Sequence, residues 1–303
     1  MSKELVNILN QSTNSVSQMR SSVFLPYSII ENTNIYKAFV KNKNKGLFFQ
    51  NTEFKLNIRN RLLGQSHRDI LDVVFSLGLL KMTNNGQYYA EFTLYFILKQ
   101  LGKSHCGKNH DWLKEKIQDL VDVVISLERL SDSTNSWTDI HILDKAAYSD
   151  RQQKFIIAFN SDYINSFQND IVINYNKYLP NILAIKNDTI KAFIRYIIPN
   201  DFKNAQLDFI LNELDISEQT MSKRQFNRIK KKIKDYDFSE FNFNISHTEQ
   251  ILYRKKSDII FWTVATELKK VSATQAVISQ SPVQANNILI ENSYDQVSGF
   301  TAY

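Results

Sequence analysis

The segments Gln206-Leu-Asp-Phe-Ile-Leu-Asn-Glu-Leu214, Asp215-Ile-Ser217, Ser222-Lys-Arg-Gln-Phe-Asn-Arg-Ile-Lys-Lys-Lys-Ile-Lys234 and Glu240-Phe-Asn-Phe-Asn-Ile245, the last set against Gln250-Ile-Leu-Tyr-Arg254, decide the fold. The first has apolar residues at helical spacing and the second is a turn. A third helix is expected over about residues 219–236, and the last two segments alternate as strands of a hairpin. Upstream, Thr189-Ile-Lys-Ala-Phe-Ile-Arg-Tyr-Ile-Ile198 reads as a helix stopped by Pro199. Three helices followed by a hairpin make a winged helix.

The same order of elements is expected once before. Gly46-Leu-Phe-Phe49 reads as a strand, and Ile70, Val73, Val74 and Leu77 share one face of a helix. A hairpin turns at Asn85-Gly86, and Phe92-Thr-Leu-Tyr-Phe-Ile-Leu-Lys-Gln-Leu101 restores helical spacing. Leu113, Ile117, Leu120 and Val124 form the stripe of a further helix. A wing follows around Asp132-Ser-Thr-Asn-Ser136, with alternating segments at 138–143 and 154–159. The expected class is therefore α+β, as tandem winged-helix domains with flexible termini. Residues 1–25 and 271–303, rich in Ser, Asn and Gln, are expected to be mobile. The first unit spans 26–165 and the second 166–270, with the boundary in 163–174.

In residues 222–234 there are eight cations and amides of interest and no acid. At ~100° per residue, Phe226, Ile229 and Ile233 fall on one arc and dock on their own domain, while Arg224, Asn227, Arg228 and Lys231 fall on the opposite arc. Arginine can read guanine and asparagine adenine by paired hydrogen bonds in a major groove, whereas Lys223, Lys230, Lys232 and Lys234 on the flanks suit phosphates. These eight residues are the candidate DNA-binding set. A basic helix face is ordinarily just a solvated surface, but such faces usually mix signs. The matching helix of the first unit carries Glu115, Asp119 and Asp122 beside Lys114 and Lys116, so phosphate is expected to be repelled there. Dimerisation, partner contact or backbone positioning falls to the first unit.

The 303 residues are 43% hydrophobic and 22% charged, enough for two ordinary domains, and the formal charge of +6 favours an anionic partner. The lone cysteine, Cys106, cannot form an internal disulfide, which suits a reducing, cytoplasmic setting. No run reaches the ~20 apolar residues of a membrane-spanning helix, and no glycine-rich phosphate loop is present. No cofactor and no metal are expected: His105, Cys106 and His110 lack a companion ligand pair at finger spacing and read as a polar loop. A rolling-circle nicking initiator would need a His-apolar-His pair, and His141-Ile-Leu143 lacks the second His. The protein is therefore expected not to be an enzyme.

Leu62-Leu-Gly-Gln-Ser-His-Arg-Asp-Ile-Leu-Asp-Val-Val-Phe75, Phe155-Ile-Ile-Ala-Phe-Asn-Ser-Asp-Tyr-Ile-Asn165 and Ile190-Lys-Ala-Phe-Ile-Arg-Tyr-Ile-Ile198, within a tandem pattern covering about residues 45–256, resemble the theta-type plasmid replication initiators, the TrfA-like Rep proteins with two winged-helix domains. The resemblance implies sequence-specific binding of duplex DNA at iteron repeats of an origin by monomers, with inactive or autoregulatory homodimers formed through the first unit. It also implies opening of an AT-rich region and recruitment of the host initiator and replicative helicase. A winged-helix transcriptional regulator is the alternative, with a rolling-circle initiator behind it.

Overall fold

The computed structural model describes residues 2–12, 14–15, 18–19, 23–27, 33–43, 46–50, 54–130, 137–200, 205–253, 260–263 and 301–302. The expected wing at 132–136 and almost all of the expected tail at 271–303 lie outside them.

Helices and strands are mixed throughout. In the first part of the chain, helix Gln65–Ser76 is buried along nearly its whole length, on polar as well as apolar positions, whereas Leu77, expected on its apolar face, is exposed. The hairpin read at Asn85-Gly86 is present: Leu80–Met82 pairs antiparallel with Tyr88–Thr93, and Gly86 takes the left-handed conformation (φ 81°) that the turn demands. Thr93 ends that strand and caps helix Leu94–Gln100 by accepting from the Phe96 amide. Helix Gly107–Asp122 follows, burying Leu113, Ile117 and Leu120.

The sheets are larger than a simple wing. Phe54–Arg59, whose alternation places Phe54, Leu56 and Ile58 inside, lies between Leu47–Gln50 and Val124–Arg129, and Val124–Arg129 pairs on its other side with Trp137–Ile140. Leu143–Ser149 and Lys154–Phe159 form a second hairpin, which joins Tyr88–Thr93 in a different sheet. Of the segments read as following one wing, the strand Trp137–Ile140 and the strand Lys154–Phe159 thus belong to separate sheets.

The second part follows the expected order. Helix Asp188–Ile197 is capped by the Asn187 side chain, and helix Leu207–Glu213 precedes a turn in which the Thr220 hydroxyl donates to the Asp215 carbonyl (2.7 Å). Helix Lys223–Lys234 comes next, and Phe243–Ile245 then pairs antiparallel with Ile251–Tyr253. An additional helix, Leu179–Ala184, has no counterpart in the sequence reading.

The two hydrophobic clusters meet inside strand Ile171–Asn174, where Val172 belongs to the first and Ile173 to the second. Successive side chains of a strand point to opposite faces, so one short strand serves both clusters. That strand is central in a three-stranded sheet, between Asn14–Ser15 and Ile260–Thr263.

The N-terminal segment, expected to be mobile, is packed where it is described. Helix Ser2–Leu9 buries Leu5, Val6 and Leu9, and Asn14, Ser15 and Gln18 are buried with hydrogen-bond partners. Its polar composition reflects seams that need hydrogen bonds more than hydrocarbon.

Candidate nucleic-acid interface

Helix Lys223–Lys234 begins at a reciprocal cap: the Gln225 amide donates to the Ser222 hydroxyl, and the Gln225 side chain accepts from the Ser222 amide. This fixes the helical phase. Ile233 is fully buried, and Phe226 and Ile229 pack half-buried against the second hydrophobic cluster, as their spacing requires. Lys223, Arg224, Asn227, Arg228, Lys231, Lys232 and Lys234 are exposed, and Lys230 is half-buried.

The cations divide into two groups. Lys230 Nζ lies 2.7 Å from Asp208 Oδ1 and 2.6 Å from Glu249 Oε2, and Lys234 Nζ lies 3.0 Å from Glu249 Oε1. Burial works against the Lys230 ammonium, but the Asp208 and Glu249 carboxylates outweigh it and raise its pKa. The hydrogen bond from Lys230, then that from Lys234, holds the Glu249 carboxyl below its ordinary range. Lys223, Arg224, Arg228, Lys231 and Lys232 make no ion pair among the described residues. Lys230 and Lys234, expected to suit phosphates, both lie against acids of their own domain, one on helix Leu207–Glu213 and one in the hairpin turn. Only folding brings those acids to the helix.

A groove of about 360 Å³ runs beside the helix, with Lys186, Asn187 and Thr189 on one wall and Ile229 and Lys232 on the other. Lys186 is exposed and was not singled out from sequence, because nothing local distinguishes it from other surface lysines. Folding brings it to the same groove as Lys232.

Helix Gly107–Asp122 differs. Asp119 lies 3.4 Å from Arg61, 3.0 Å from His67 and 3.3 Å from Lys116; Asp122 lies 3.3 Å from Arg61; and Glu115 lies 3.0 Å from Lys116. Burial tends to raise the Asp119 pKa, but His67 and Lys116 override it and the net shift is downward. The acids expected to repel phosphate thus each have a partner in place, Arg61 and Lys116 serving as the cations and His67 as a hydrogen-bond partner of Asp119.

At the N-terminus of that helix the His105 and His110 rings meet edge to face at 4.3 Å, and Cys106 is exposed at the cap position. No group of three or more metal-ligating side chains occurs among the described residues. No helix among them is long and apolar enough to cross a membrane.

A third charged assembly is buried at the junction of the two clusters. Lys191 Nζ lies 2.5 Å from Asp69 Oδ2, and Arg195 NH2 lies 2.6 Å from Asp69 Oδ1 and 2.7 Å from Asp72 Oδ2. Arg195 NH1 donates to Gln65 Oε1 (2.9 Å), the Tyr175 hydroxyl donates to Asp72 Oδ2 (2.8 Å), and Asn14 donates to Asp72 Oδ1 (2.8 Å). Arg195 is wholly buried. Burial opposes its charge, yet Asp72 and Asp69 hold its pKa above the ordinary guanidinium value. Nearby, the Tyr27 hydroxyl donates to the Asp215 carbonyl (3.0 Å), tying the N-terminal segment to the turn before the basic helix.

No protein-family model matches the chain, and no curated protein is similar to it. Among solved structures, a selenomethionine derivative of domains 2 and 3 of RctB is similar at 11% identity, covering 73% of this chain and 85% of that chain with a TM-score of 0.47. A second structure of RctB domains 2–3 is similar at 12% identity, covering 72% of this chain and 89% of that chain with a TM-score of 0.41.

Proposed function

We propose that this protein binds double-stranded DNA through helix Lys223–Lys234, set in a winged-helix unit whose wing is the hairpin Phe243–Ile245 and Ile251–Tyr253. One observation carries the reading. The helix buries Ile233, packs Phe226 and Ile229 half-buried beside it, and turns outward a face with Arg224, Asn227, Arg228 and Lys231, with no acidic residue along it. A face of one sign held on a packed helix suits phosphate and base-edge contact, because its geometry is fixed before the ligand arrives and its field is not cancelled locally.

In this reading Asn227 and Arg228 read base edges, and Lys223, Lys232 and Lys186 meet phosphates. The first winged-helix unit holds the second in place and offers the surface for a homodimer or another partner. The protein is a binding protein without a catalytic step or cofactor, working in the cytoplasm. Initiation of plasmid replication at iteron repeats, with recruitment of a host initiator and helicase, is the role that the sequence resemblance favours.

Fluorescence anisotropy with duplex and single-stranded oligonucleotides across a salt series tests the binding. Preference for duplex and a steep decline of affinity with salt are expected, since each neutralised phosphate contributes about 0.9 to the logarithmic slope. A flat salt response would exclude the interface. Maintenance of a plasmid carrying only an origin fragment and this gene tests the initiator role, and failure on every fragment with tandem repeats would move the reading to a transcriptional regulator.

A further inference from the structure

The contact between Glu249 and two lysines of the basic helix has the form of a phosphate contact. Lys230 and Lys234 are one helical turn apart, and each takes a different oxygen of the same carboxylate, at 2.6 and 3.0 Å. A DNA phosphate meeting that edge of the helix would bridge the same two ammonium groups with two of its own oxygens.

The backbone delivers Glu249 to this position. Its amide donates to the Ser246 carbonyl (2.9 Å), and its carbonyl accepts from the Leu207 amide (2.8 Å), so the residue is held on both sides in the hairpin turn. Its φ is 61°, in the left-handed region that glycine and asparagine fill more readily than glutamate. From this backbone position the Glu249 side chain reaches both lysines of the helix. The ion pairs are solvent-accessible, with side-chain exposures of 29% for Glu249 and 40% for Lys234, so a competing anion can reach them. Lys230 keeps Asp208 as a second partner at 2.7 Å.

We infer that Glu249 is an internal phosphate mimic, which occupies Lys230 and Lys234 in the free protein and gives way to a backbone phosphate only when a cognate site docks. The inference rests on the duplex-binding reading. On arbitrary DNA, the five cations without acid partners act alone. On the cognate site, base contacts by Asn227 and Arg228 draw the helix into the groove, and the exchange of carboxylate for phosphate follows. The carboxylate thus weakens binding to arbitrary sequence more than binding to the right one, which raises discrimination.

The test is a mutant cycle on the full chain: Glu249→Gln, the pair Lys230→Ala with Lys234→Ala, and all three together. Each is measured on cognate and scrambled duplexes over a salt series, with circular dichroism to check folding. Glu249→Gln is expected to tighten binding to the scrambled duplex and steepen its salt slope by about one to two. The cognate duplex should gain less, and the gain should vanish when both lysines are absent. Unchanged or weaker binding by a folded Glu249→Gln variant overturns the inference, as does a gain that persists without the lysines, and the duplex-binding reading survives either result. If the unaltered protein binds neither duplex, that reading falls and the inference falls with it.

Discussion

The junction cluster and the basic helix each concentrate charge, with opposite results. At the junction, Asp69 and Asp72 face Lys191 and Arg195 at 2.5 to 2.7 Å, out of water. On the basic helix, Arg224, Arg228, Lys231 and Lys232 stand in solvent without acid partners among the described residues. Ions removed from water must be matched to be tolerated, so the buried set ties helix Gln65–Ser76 to helix Asp188–Ile197, with both carboxylates engaged by cations of the same protein. Ions left in water cost little, and their unmatched charge remains available to a polyanion.

Breaking the buried set should have the largest effect. Arg195→Ala takes the guanidinium from Asp72 and leaves Asp69 with Lys191 alone, and it is expected to cost about 3–5 kcal/mol of stability in urea unfolding, as removal of one partner of a buried pair does. A cost under about 1 kcal/mol would place the junction among solvated ion pairs, and the contrast with the basic helix would disappear.

Next come the base-reading residues. Asn227→Ala and Arg228→Ala should each lose about 1–3 kcal/mol on the cognate duplex, with little loss on a scrambled one. Equal loss on both would reduce the helix to an electrostatic clamp.

Smaller effects should separate the lysines. Lys232→Ala and Lys186→Ala are each expected to lower the salt slope by about one, at every sequence. Lys230→Ala and Lys234→Ala should change the slope less on a scrambled duplex, where Glu249 already occupies both. Titrating the four variants in parallel reads the difference directly.

The mildest expected effect is one of pH. His67 is buried, and burial is the largest cause of its lowered pKa, against the pull of Asp119. An unfolded histidine titrates near ~6.5. Below that value the unfolded chain binds more protons than the folded one, so stability declines as pH falls from there toward the lowered folded value. Thermal melting from pH 7 to pH 5 should show this decline, and His67→Gln should flatten it.

Much of this molecule could be read locally. The spacing of Phe226, Ile229 and Ile233 and the Asn85-Gly86 turn are short-range signals, and each lies where spacing puts it. What escaped was set at long range. Strand Phe54–Arg59 pairs with a segment about 70 residues away, and the polar face of helix Gln65–Ser76 looks solvent-bound until Arg195 closes over it. Lys230 and Lys234 likewise look free until the chain brings Asp208 and Glu249 back to them. The described part of residues 1–25 misled by composition, because hydrogen-bonded seams and mobile segments use the same polar residue types.

The three-stranded sheet at the junction also bears on how the chain is made. Asn14 pairs with Ile173, and Ile173 pairs with Phe261, so the central strand is flanked by one strand far before it and one far after it in sequence. During synthesis, the central strand emerges with one neighbour available and waits for the other until the chain as far as Phe261 is out. Pairings this remote in sequence carry the loop-closure entropy that slows folding. A ribosome-bound chain stopped short of Ile260 would therefore hold this sheet with one edge unpaired, a site where a chaperone or a neighbouring nascent chain could add a strand.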